Sequence, residues 1–245
     1  MRLLLTGLNG TLAPSVAEAA MAHGWQVLAW DRQAVPVHDT HWLQQARPDA
    51  IAHLAMGDEH WAGRLAAFAA AQGLPMLFTS TAMVFDAEPD GPHQPHDART
   101  ARDDYGRSKI RCEDAVLAAH RGATVLRIGW QIHPTRPGNN MLAQLDGWQQ
   151  QQGEVAASRV WRPACSFMDD TAQAIVALLA QPVAGPVHLD SNADEGHGFD
   201  ALVAALQRHF HRPQWRLRVH DDYRHDQRLA GGGARVPPLS VRLRF

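Results

Sequence analysis

Lysine, tyrosine and cysteine are scarce in this chain of 245 residues. Of the 23 basic residues, one is a lysine, Lys109, and the other 22 are arginines. The 2 tyrosines are Tyr105 and Tyr223, and the 2 cysteines are Cys112 and Cys165. Because two cysteines cannot make a disulfide framework, we expect a reducing, cytoplasmic environment. The single lysine lies four residues after a tyrosine, which makes Tyr105 and Lys109 a candidate functional pair.

Long apolar runs and an excess of charge of one sign are also missing. No stretch approaches the roughly 18 apolar residues that span a bilayer. The apolar start, Met1–Leu5, breaks at Thr6-Gly7, too early for a signal sequence. The formal net charge of −2 gives no electrostatic case for nucleic acid or an acidic membrane. We therefore expect a globular protein with a small-molecule partner and no nucleic-acid or membrane partner.

Strand and helix patterns alternate along the first half of the chain, which predicts βαβ units and a parallel sheet of the α/β class. The predicted strands are Leu3–Leu5, Gln26–Trp30, Ala50–Ala55, Pro75–Thr79 and Thr124–Ile128. The predicted helices are Ala13–His23, a segment from a cap at Asp39 or Thr40 to Ala46, Gly63–Gln72 and Asp104–His120.

The second half is less regular. Residues 134–158 are rich in Pro, Asn, Gln and Gly, which predicts an excursion from the sheet. Further on, the patterns predict a helix at Thr171–Ala180 capped by Asp169 or Asp170, a strand at Pro186–Leu189, a helix at Phe199–Phe210 and a strand at Gln214–Val219.

The first predicted strand runs into a glycine-containing turn, residues 6–13, that opens a helix. Gly7 permits the tight turn, Gly10 lets the backbone approach a pyrophosphate, and Ala13 permits close packing of helix on strand. The helix N-terminus then offers free N–H groups to phosphates. An ordinary turn is the alternative, because a glycine pair alone is a weak signal. The candidate cofactor-binding residues here are Gly7, Asn9, Gly10, Thr11 and Leu12.

Asp31 and Arg32, at the end of the second predicted strand, bear on the choice of cofactor. Asp31 follows Gly10 by 21 residues, an offset that suits hydrogen bonds to the adenosine ribose. A carboxylate there repels a 2′-phosphate, so NAD is favoured over NADP. Arg32 could instead accept that phosphate, and a solvated strand end is the plain alternative for Asp31. The remaining cofactor-binding candidates are Leu54, Ala55, Met56, Tyr105 and Lys109.

Tyr105 and Lys109 lie on one predicted helix, where a spacing of four residues puts both side chains on one face. A nearby ammonium is expected to lower the tyrosine pKa and bring the phenol toward acid–base work. A surface tyrosine with a solvated lysine is the alternative. Thr81 follows the fourth predicted strand, 24 residues before Tyr105, and could polarise a substrate carbonyl, with Ser80 as its competitor for this role.

These features resemble the extended short-chain dehydrogenase/reductase superfamily, through the glycine turn, Asp31 and the Tyr105/Lys109 pair. Three further segments resemble dTDP-4-dehydrorhamnose reductases and the related NAD-dependent sugar-nucleotide epimerases and dehydratases. They are Ser80–Asp86, similar to Ser-Thr-Asp-Tyr-Val-Phe-Asp, Leu126–Trp130, similar to Leu-Arg-Thr-Ser-Trp, and Ala234–Pro237, similar to Ala-Arg-Arg-Pro.

The resemblance implies a doubly wound Rossmann-like core over residues 1–133, with returning elements at about 164–190. Residues 134–163 and 191–245 would form a small C-terminal α/β substrate-binding region. The implied chemistry is hydride transfer between NAD(P) and a nucleotide-sugar-like substrate, by a reductase or an epimerase. In this chemistry Tyr105 moves the proton, Lys109 tunes Tyr105 and holds the ribose, and Thr81 hydrogen-bonds the carbonyl. A homodimer is compatible with the resemblance.

The sequence departs from that group in several places. His60 stands where the group usually has asparagine, the segment 56–62 is short, and Ala82-Met83 replaces the Asp-Tyr that follows the threonine. These departures support a second hypothesis, a catalytically weak NAD(P)-binding regulatory protein or subunit.

Histidines and C-terminal arginines are two further candidate binding groups in the sequence. No histidine pair has a cysteine or carboxylate partner at ligand spacing, so no metal site is predicted. Four arginines could meet a diphosphate, with solvated charge as the alternative: Arg216, Arg218, Arg224 and Arg228.

Overall fold

The structure is a computed structural model that describes residues 1–30, 36 and 38–245. Its strands are β1 (Arg2–Thr6), β2 (Gln26–Trp30), β3 (Ala50–His53), β4 (Met76–Thr81), β5 (Thr124–Ile128), β6 (Trp130–Ile132), β7 (Val155–Ser158), β8 (Trp161–Arg162), β9 (Cys165–Phe167), β10 (Gly185–Leu189), β11 (Leu217–His220) and β12 (His225–Asp226). Its helices are α1 (Ala13–Ala22), α2 (Thr40–Ala46), α3 (Glu59–Gln72), α4 (Asp104–Ala119), α5 (Met141–Gln152), α6 (Met168–Ala180) and α7 (Phe199–His209).

A six-stranded sheet in the order β2-β1-β3-β4-β5-β10 organises the molecule. Every neighbouring pair in it is parallel. The chain moves outward from β1 to β2 and then returns to place β3 on the other side of β1, which creates a topological switch point at the carboxyl ends of β1 and β3. The predicted doubly wound parallel sheet is confirmed.

Helices cover both faces of the sheet, so its central strands are continuous runs of buried residues. On one face α1 and α6 share a core with β1, β3 and β10. On the other face α3 and α4 pack with Trp30, Leu43, Met76 and Phe78. None of the described helices is long and apolar enough to cross a membrane.

Capping aspartates explain where α2 and α3 begin. Asp39 accepts a hydrogen bond from the Trp42 backbone N–H at 2.9 Å, as the sequence predicts for α2. Asp58 accepts one from Trp61 N–H at 2.8 Å, so α3 begins at Glu59, four residues before the predicted Gly63.

The predicted cap of α6 is wrong. The helix begins at Met168, directly after β9, and Phe167 occupies its N-cap position without a side-chain hydrogen bond. Asp169 and Asp170 therefore lie inside the first turn. Asp170 pairs with Arg242 there, close to the C-terminus of the described chain.

The second half contains more regular structure than the sequence pattern indicates. The predicted excursion at 134–158 holds α5 and β7, and Asn140 caps α5 through the Ala143 N–H at 3.1 Å. Three small parallel pairs, β6–β9, β7–β11 and β8–β12, frame this part. Its buried residues form a core of their own, contributed by α5, β7, α7 and the C-terminal segment.

His188 lies on β10 and is buried as a neutral imidazole. Its Nε2 accepts a hydrogen bond from Arg127 Nη1 at 3.3 Å, so Nδ1 must carry the proton that is donated to the Ala230 carbonyl at 2.9 Å. A second proton would have to point at the Arg127 guanidinium. Burial lowers the pKa of His188 from 6.5 to about 4.

Asp190 directly follows β10 and is also buried. Burial raises the pKa of its carboxyl from 3.8 to about 7, against the effect of three backbone donors. These donors are the N–H groups of Asn192 at 2.8 Å and of Cys165 and Leu229 at 3.0 Å. The carboxyl thus ties the end of β10 to the start of β9 and to the segment at Leu229.

Asp190 and His188 change the stability of the fold in opposite directions as the pH changes. Removing one of them should therefore reveal the pH dependence that the other causes. Asp190 stabilises the fold below pH 4 and loses this contribution as the pH rises toward 7. His188 costs stability as the pH falls from 6.5 to 4, because the unfolded histidine takes up a proton first. Relative to wild type, the free energy of unfolding should rise with pH in Asp190→Asn and fall in His188→Gln.

Urea unfolding between pH 4 and 7 measures both effects. Each is on the order of 3–4 kcal/mol over the full titration. If the free energy of unfolding of each variant changes with pH in parallel with that of wild type, neither group titrates differently on folding.

Candidate active site

A cleft of about 1070 Å³ opens at the carboxyl ends of the sheet strands, over the switch point. Every predicted site residue within the described ranges lines it. They are Gly7, Asn9, Gly10, Thr11, Leu12, Leu54, Ala55, Met56, Thr81, Tyr105 and Lys109. Asp31 and Arg32 lie outside the described residues.

The glycine turn lies tightly against the end of β3. Gly7 has φ +89°, and a β-carbon there would lie 2.9 Å from the Ala55 backbone nitrogen, so only glycine fits without strain. The Thr6 hydroxyl accepts hydrogen bonds from the N–H groups of Leu54 and Ala55 at 3.1 Å. The same hydroxyl pairs with His53 Nδ1 at 2.8 Å. These contacts fix the turn in place from below.

The N-terminus of α1 is suited to hold an anion. Its N-cap residue is Leu12, which has no side-chain acceptor for the first N–H groups. Those N–H groups and the positive end of the helix dipole therefore face the cleft side of the turn. The loop before α5 lies over the same turn, because Thr11 Oγ1 accepts a hydrogen bond from Asn139 N–H at 3.1 Å. Sequence reasoning gave no sign of this loop contact.

The Thr81 hydroxyl lies close enough to the Tyr105 phenol to act on its pKa. Thr81 ends β4, is 8% exposed, and also caps the following 3-10 turn by accepting the Met83 N–H at 3.2 Å. Tyr105 lies in the first turn of α4, whose cap is Asp103. Its ring remains 39% exposed, so a substrate can reach it.

The pKa of Tyr105 is raised, not lowered. Burial raises it above 10, the nearby Thr81 hydroxyl opposes that rise, and the Asp103 carboxylate adds to it. The sequence-based expectation of a lowered pKa is therefore wrong, and Lys109 is not among the causes of the shift. Tyr105 is protonated at neutral pH and can donate a proton.

Lys109 is buried and 6% exposed. Its Nζ donates to the Thr79 carbonyl at 2.9 Å and lies 4.8 Å from the centre of the Phe78 ring. Burial lowers the pKa of the ammonium, and the nearby Cys112 and Glu113 oppose this shift. The alternative of a solvated surface lysine is excluded.

A buried ion pair lies behind Lys109, one turn along α4. Glu113 accepts two hydrogen bonds from Arg127, at 2.9 Å and 2.8 Å, and a third from Arg99 at 3.1 Å. The guanidinium groups hold the pKa of Glu113 below its usual range in spite of burial. The pair joins α4 to β5 and so fixes the helix that carries Tyr105 and Lys109.

The outer half of the cleft is made by residues that sequence reasoning missed or ranked low. Aromatic and polar side chains line it: Met83, Asp86, Trp130, Gln131, Trp161, Tyr223 and Gln227. Trp161 Nε1 donates to Gln227 Oε1 at 2.8 Å, and the Trp161 and Tyr223 rings meet edge to face at 5.5 Å. Cys165 is fully buried and lies outside the lining.

The predicted diphosphate arginines do not line this cleft. Arg218 pairs with Glu154 at 2.5 Å, Arg224 with Asp90 at 2.7 Å and Arg228 with Asp226 at 2.8 Å. His60 is also outside the lining and lies in a shallow depression between α3 and α4. Trp61, the next residue, lines the cleft in its place.

Comparisons with known proteins agree with this architecture. Residues 58–197 match the protein family described as the RmlD substrate binding domain. The Bacillus anthracis dTDP-4-dehydrorhamnose reductase in complex with NADP has a TM-score of 0.81 at 16% identity, covering 97% of this chain and 95% of that one. This likeness shows a shared fold.

The relatives found by sequence include a reductase and a subunit of another enzyme. A dTDP-4-dehydrorhamnose reductase of Mycobacterium tuberculosis is 29% identical over 178 residues, which are 71% of this chain. The methionine adenosyltransferase 2 subunit beta of Pongo abelii is 29% identical over 154 residues, 52% of this chain and 46% of that subunit. The chain spans 56% of the length of the mycobacterial reductase.

Proposed function

Because this chain belongs to the family of the RmlD substrate binding domain, we propose that it is an NAD(P)-dependent oxidoreductase acting on a sugar carbonyl or alcohol. One observation carries the proposal: the glycine turn, Thr81, Tyr105 and Lys109 line a single cleft at the switch point of the sheet. These elements come from β1, β4 and α4, and an ordinary globular fold has no need to bring them together.

The residues of the turn fit a nicotinamide dinucleotide. Gly7 lets the turn lie directly against the Ala55 backbone, and the first N–H groups of α1 suit a pyrophosphate. Bound there, the dinucleotide supplies or accepts the hydride. In our proposal Lys109 holds the nicotinamide ribose from beside Thr79, and Leu54, Ala55 and Met56 form the floor below the ring.

Tyr105 and Thr81 handle the substrate oxygen in this mechanism. Thr81 donates a hydrogen bond that positions and polarises the carbonyl, and Tyr105 delivers the proton to the oxygen as hydride arrives at carbon. In the oxidative direction Tyr105 takes the proton back. Segments 134–163 and 191–245 form the substrate-binding region around the core of 1–133 and 164–190, and they contribute Trp161, Tyr223 and Gln227 to the cleft.

We expect NAD(H) to be preferred over NADP(H). A carboxylate at Asp31 repels a 2′-phosphate, so kcat/KM should be at least about tenfold higher with NADH than with NADPH. Asp31→Ala should reduce that ratio, and Arg32→Ala should leave it unchanged or raise it. A wild-type preference for NADPH that Arg32→Ala abolishes would assign the ribose site to the arginine.

A second candidate function is an NAD(P)-binding subunit with little catalysis. It is favoured by the short segment 56–62, by His60 outside the cleft, and by the similarity to a subunit of a methionine adenosyltransferase. Oxidation of NADH with a panel of 4-keto nucleotide sugars, including dTDP-4-dehydrorhamnose, separates the two. Turnover that depends on Tyr105 supports the enzyme, whereas tight cofactor binding without any turnover supports the subunit.

A further inference from the structure

Gln131, on β6, lines the cleft and carries an unused hydrogen-bond acceptor. It lines the outer half and is 6% exposed. Its Nε2 donates to the Gly129 carbonyl at 3.1 Å, and that contact with an acceptor fixes the amide orientation. Its Oε1 is buried and receives no hydrogen bond from the part of the chain that the structure describes. A buried acceptor left in this state is costly unless a ligand donates to it.

Asp86 is a second acceptor in the same half of the cleft. It follows the 3-10 turn after Thr81, and its side chain is 14% exposed. Its basic neighbour is His225, whose Nδ1 lies 3.9 Å from Asp86 Oδ1. That nitrogen is already engaged by the Tyr223 hydroxyl at 2.9 Å, and burial lowers the pKa of His225, which keeps it neutral. Asp86 therefore presents a carboxylate whose charge is not balanced by a cation in direct contact.

The charges around this half of the cleft do not suit a diphosphate. Among the described lining residues the only Lys or Arg is Lys109, which is buried at the inner end and bound to Thr79. Arg102 acts on Tyr223 and His225 from outside the lining, and it donates to the Ala87 carbonyl at 3.4 Å. Phosphate oxygens are acceptors and carry negative charge, so both Asp86 and Gln131 Oε1 oppose them.

Hydroxyl groups have the opposite character, because each can donate to a carboxylate or an amide oxygen. We propose that Asp86 and Gln131 determine specificity by accepting hydrogen bonds from the hydroxyl groups of a sugar, and that this half of the cleft draws little affinity from a diphosphate. The inference rests on the proposed function only in placing the substrate in this cleft.

The test measures binding to the cofactor-loaded protein through its intrinsic tryptophan fluorescence, to which Trp130 and Trp161 of the outer half contribute. The probes are dTDP-rhamnose, dTDP-glucose and dTDP without a sugar. We expect at least one sugar nucleotide to bind about tenfold or more tightly than dTDP. Asp86→Asn should weaken binding of that sugar nucleotide about tenfold and Gln131→Met about fivefold, while dTDP binding changes less than about twofold in either variant.

Matched control variants use the same substitutions outside the cleft. Asp90 lies four residues after Asp86, is exposed and pairs with Arg224, so Asp90→Asn is the first control. Gln152→Met alters an exposed glutamine at the end of α5. Neither control should change sugar binding.

Three outcomes would overturn the inference: dTDP binding as tightly as the sugar nucleotides, Asp86→Asn and Gln131→Met leaving sugar affinity unchanged, or neither sugar nucleotide binding. Cofactor affinity is measured separately in the same samples. If NADH binds but the sugar nucleotides do not bind as expected, only this inference is contradicted. If neither NADH nor NADPH binds, the proposed function falls as well.

Discussion

Tyr105→Phe is expected to lower kcat by at least about 100-fold, the range in which a positioned general acid contributes. The substitution removes the phenol hydroxyl beside Thr81 and keeps the ring of a residue that is 39% exposed at the cleft. Cofactor affinity should therefore stay within about twofold of wild type, since no contact with the glycine turn is lost. Steady-state oxidation of NADH with the best 4-keto sugar substrate gives kcat, and an NADH titration gives the dissociation constant.

The pH profile adds a readout that a structural role for Tyr105 would not move. Because burial raises the pKa of this tyrosine, the phenol stays protonated through neutral pH. The rate of carbonyl reduction should therefore be flat through neutrality and fall only at alkaline pH, and Tyr105→Phe should remove that alkaline limb. A variant with wild-type kcat would show that another group delivers the proton.

Lys109→Arg is expected to lower kcat/KM about 10- to 100-fold, through both a higher KM for the cofactor and a lower kcat. The ammonium fits a narrow space, with Nζ 2.9 Å from the Thr79 carbonyl and 4.8 Å from the centre of the Phe78 ring. A guanidinium is planar and larger, so it cannot occupy this space without moving β4 or leaving the ribose site. The charge is conserved, and the effect therefore isolates the shape of the group.

The reverse substitution on the same helix serves as the control. Arg107→Lys changes an exposed arginine that pairs with Asp104 at 2.8 Å, and kinetics should not respond to it. Thermal unfolding of both variants shows whether Lys109→Arg also loses stability by overpacking. Unchanged kinetics in Lys109→Arg would mean that any cation serves at this position, and the scarcity of lysine in the chain would carry no functional meaning.

The sheet could be predicted because each of its strands is one short continuous run of largely apolar residues. The predicted and observed bounds agree at Gln26–Trp30 and Thr124–Ile128, where turn residues flank each run. The glycine turn could be predicted for the same reason, since strand, turn and helix follow one another directly. At α3 the apolar pattern alone was misleading, because Asp58 caps the helix before that pattern begins.

The outer half of the cleft could not be predicted, because its walls come from short strands distant in the chain. Trp161 lies on the two-residue strand β8, which pairs with His225 and Asp226 of β12. A pairing of two residues leaves no periodicity in the sequence. The ion pairs of the C-terminal arginines could not be predicted for the same reason, because their carboxylate partners are distant in the chain. Arg218, for example, pairs with Glu154.

The electrostatics of the Tyr105/Lys109 pair shows a different limit. Their spacing correctly placed both residues at one cleft, but helical spacing does not report the depth of each side chain. Lys109 turns inward to Thr79, whereas Tyr105 stays at the opening beside Thr81 and Asp103. The sign of a pKa shift depends on that depth, so it could only come from the structure.

Energy transfer from tryptophan to NADH tests most directly the claim that this cleft holds a nicotinamide dinucleotide. Four tryptophans line the cleft: Trp30, Trp61, Trp130 and Trp161. Titration with NADH should quench their emission and produce saturable sensitised emission from the nicotinamide, which excess NAD⁺ should reverse. Tyr105→Phe should behave like wild type in this measurement. Absence of saturable transfer with both NADH and NADPH would contradict the account.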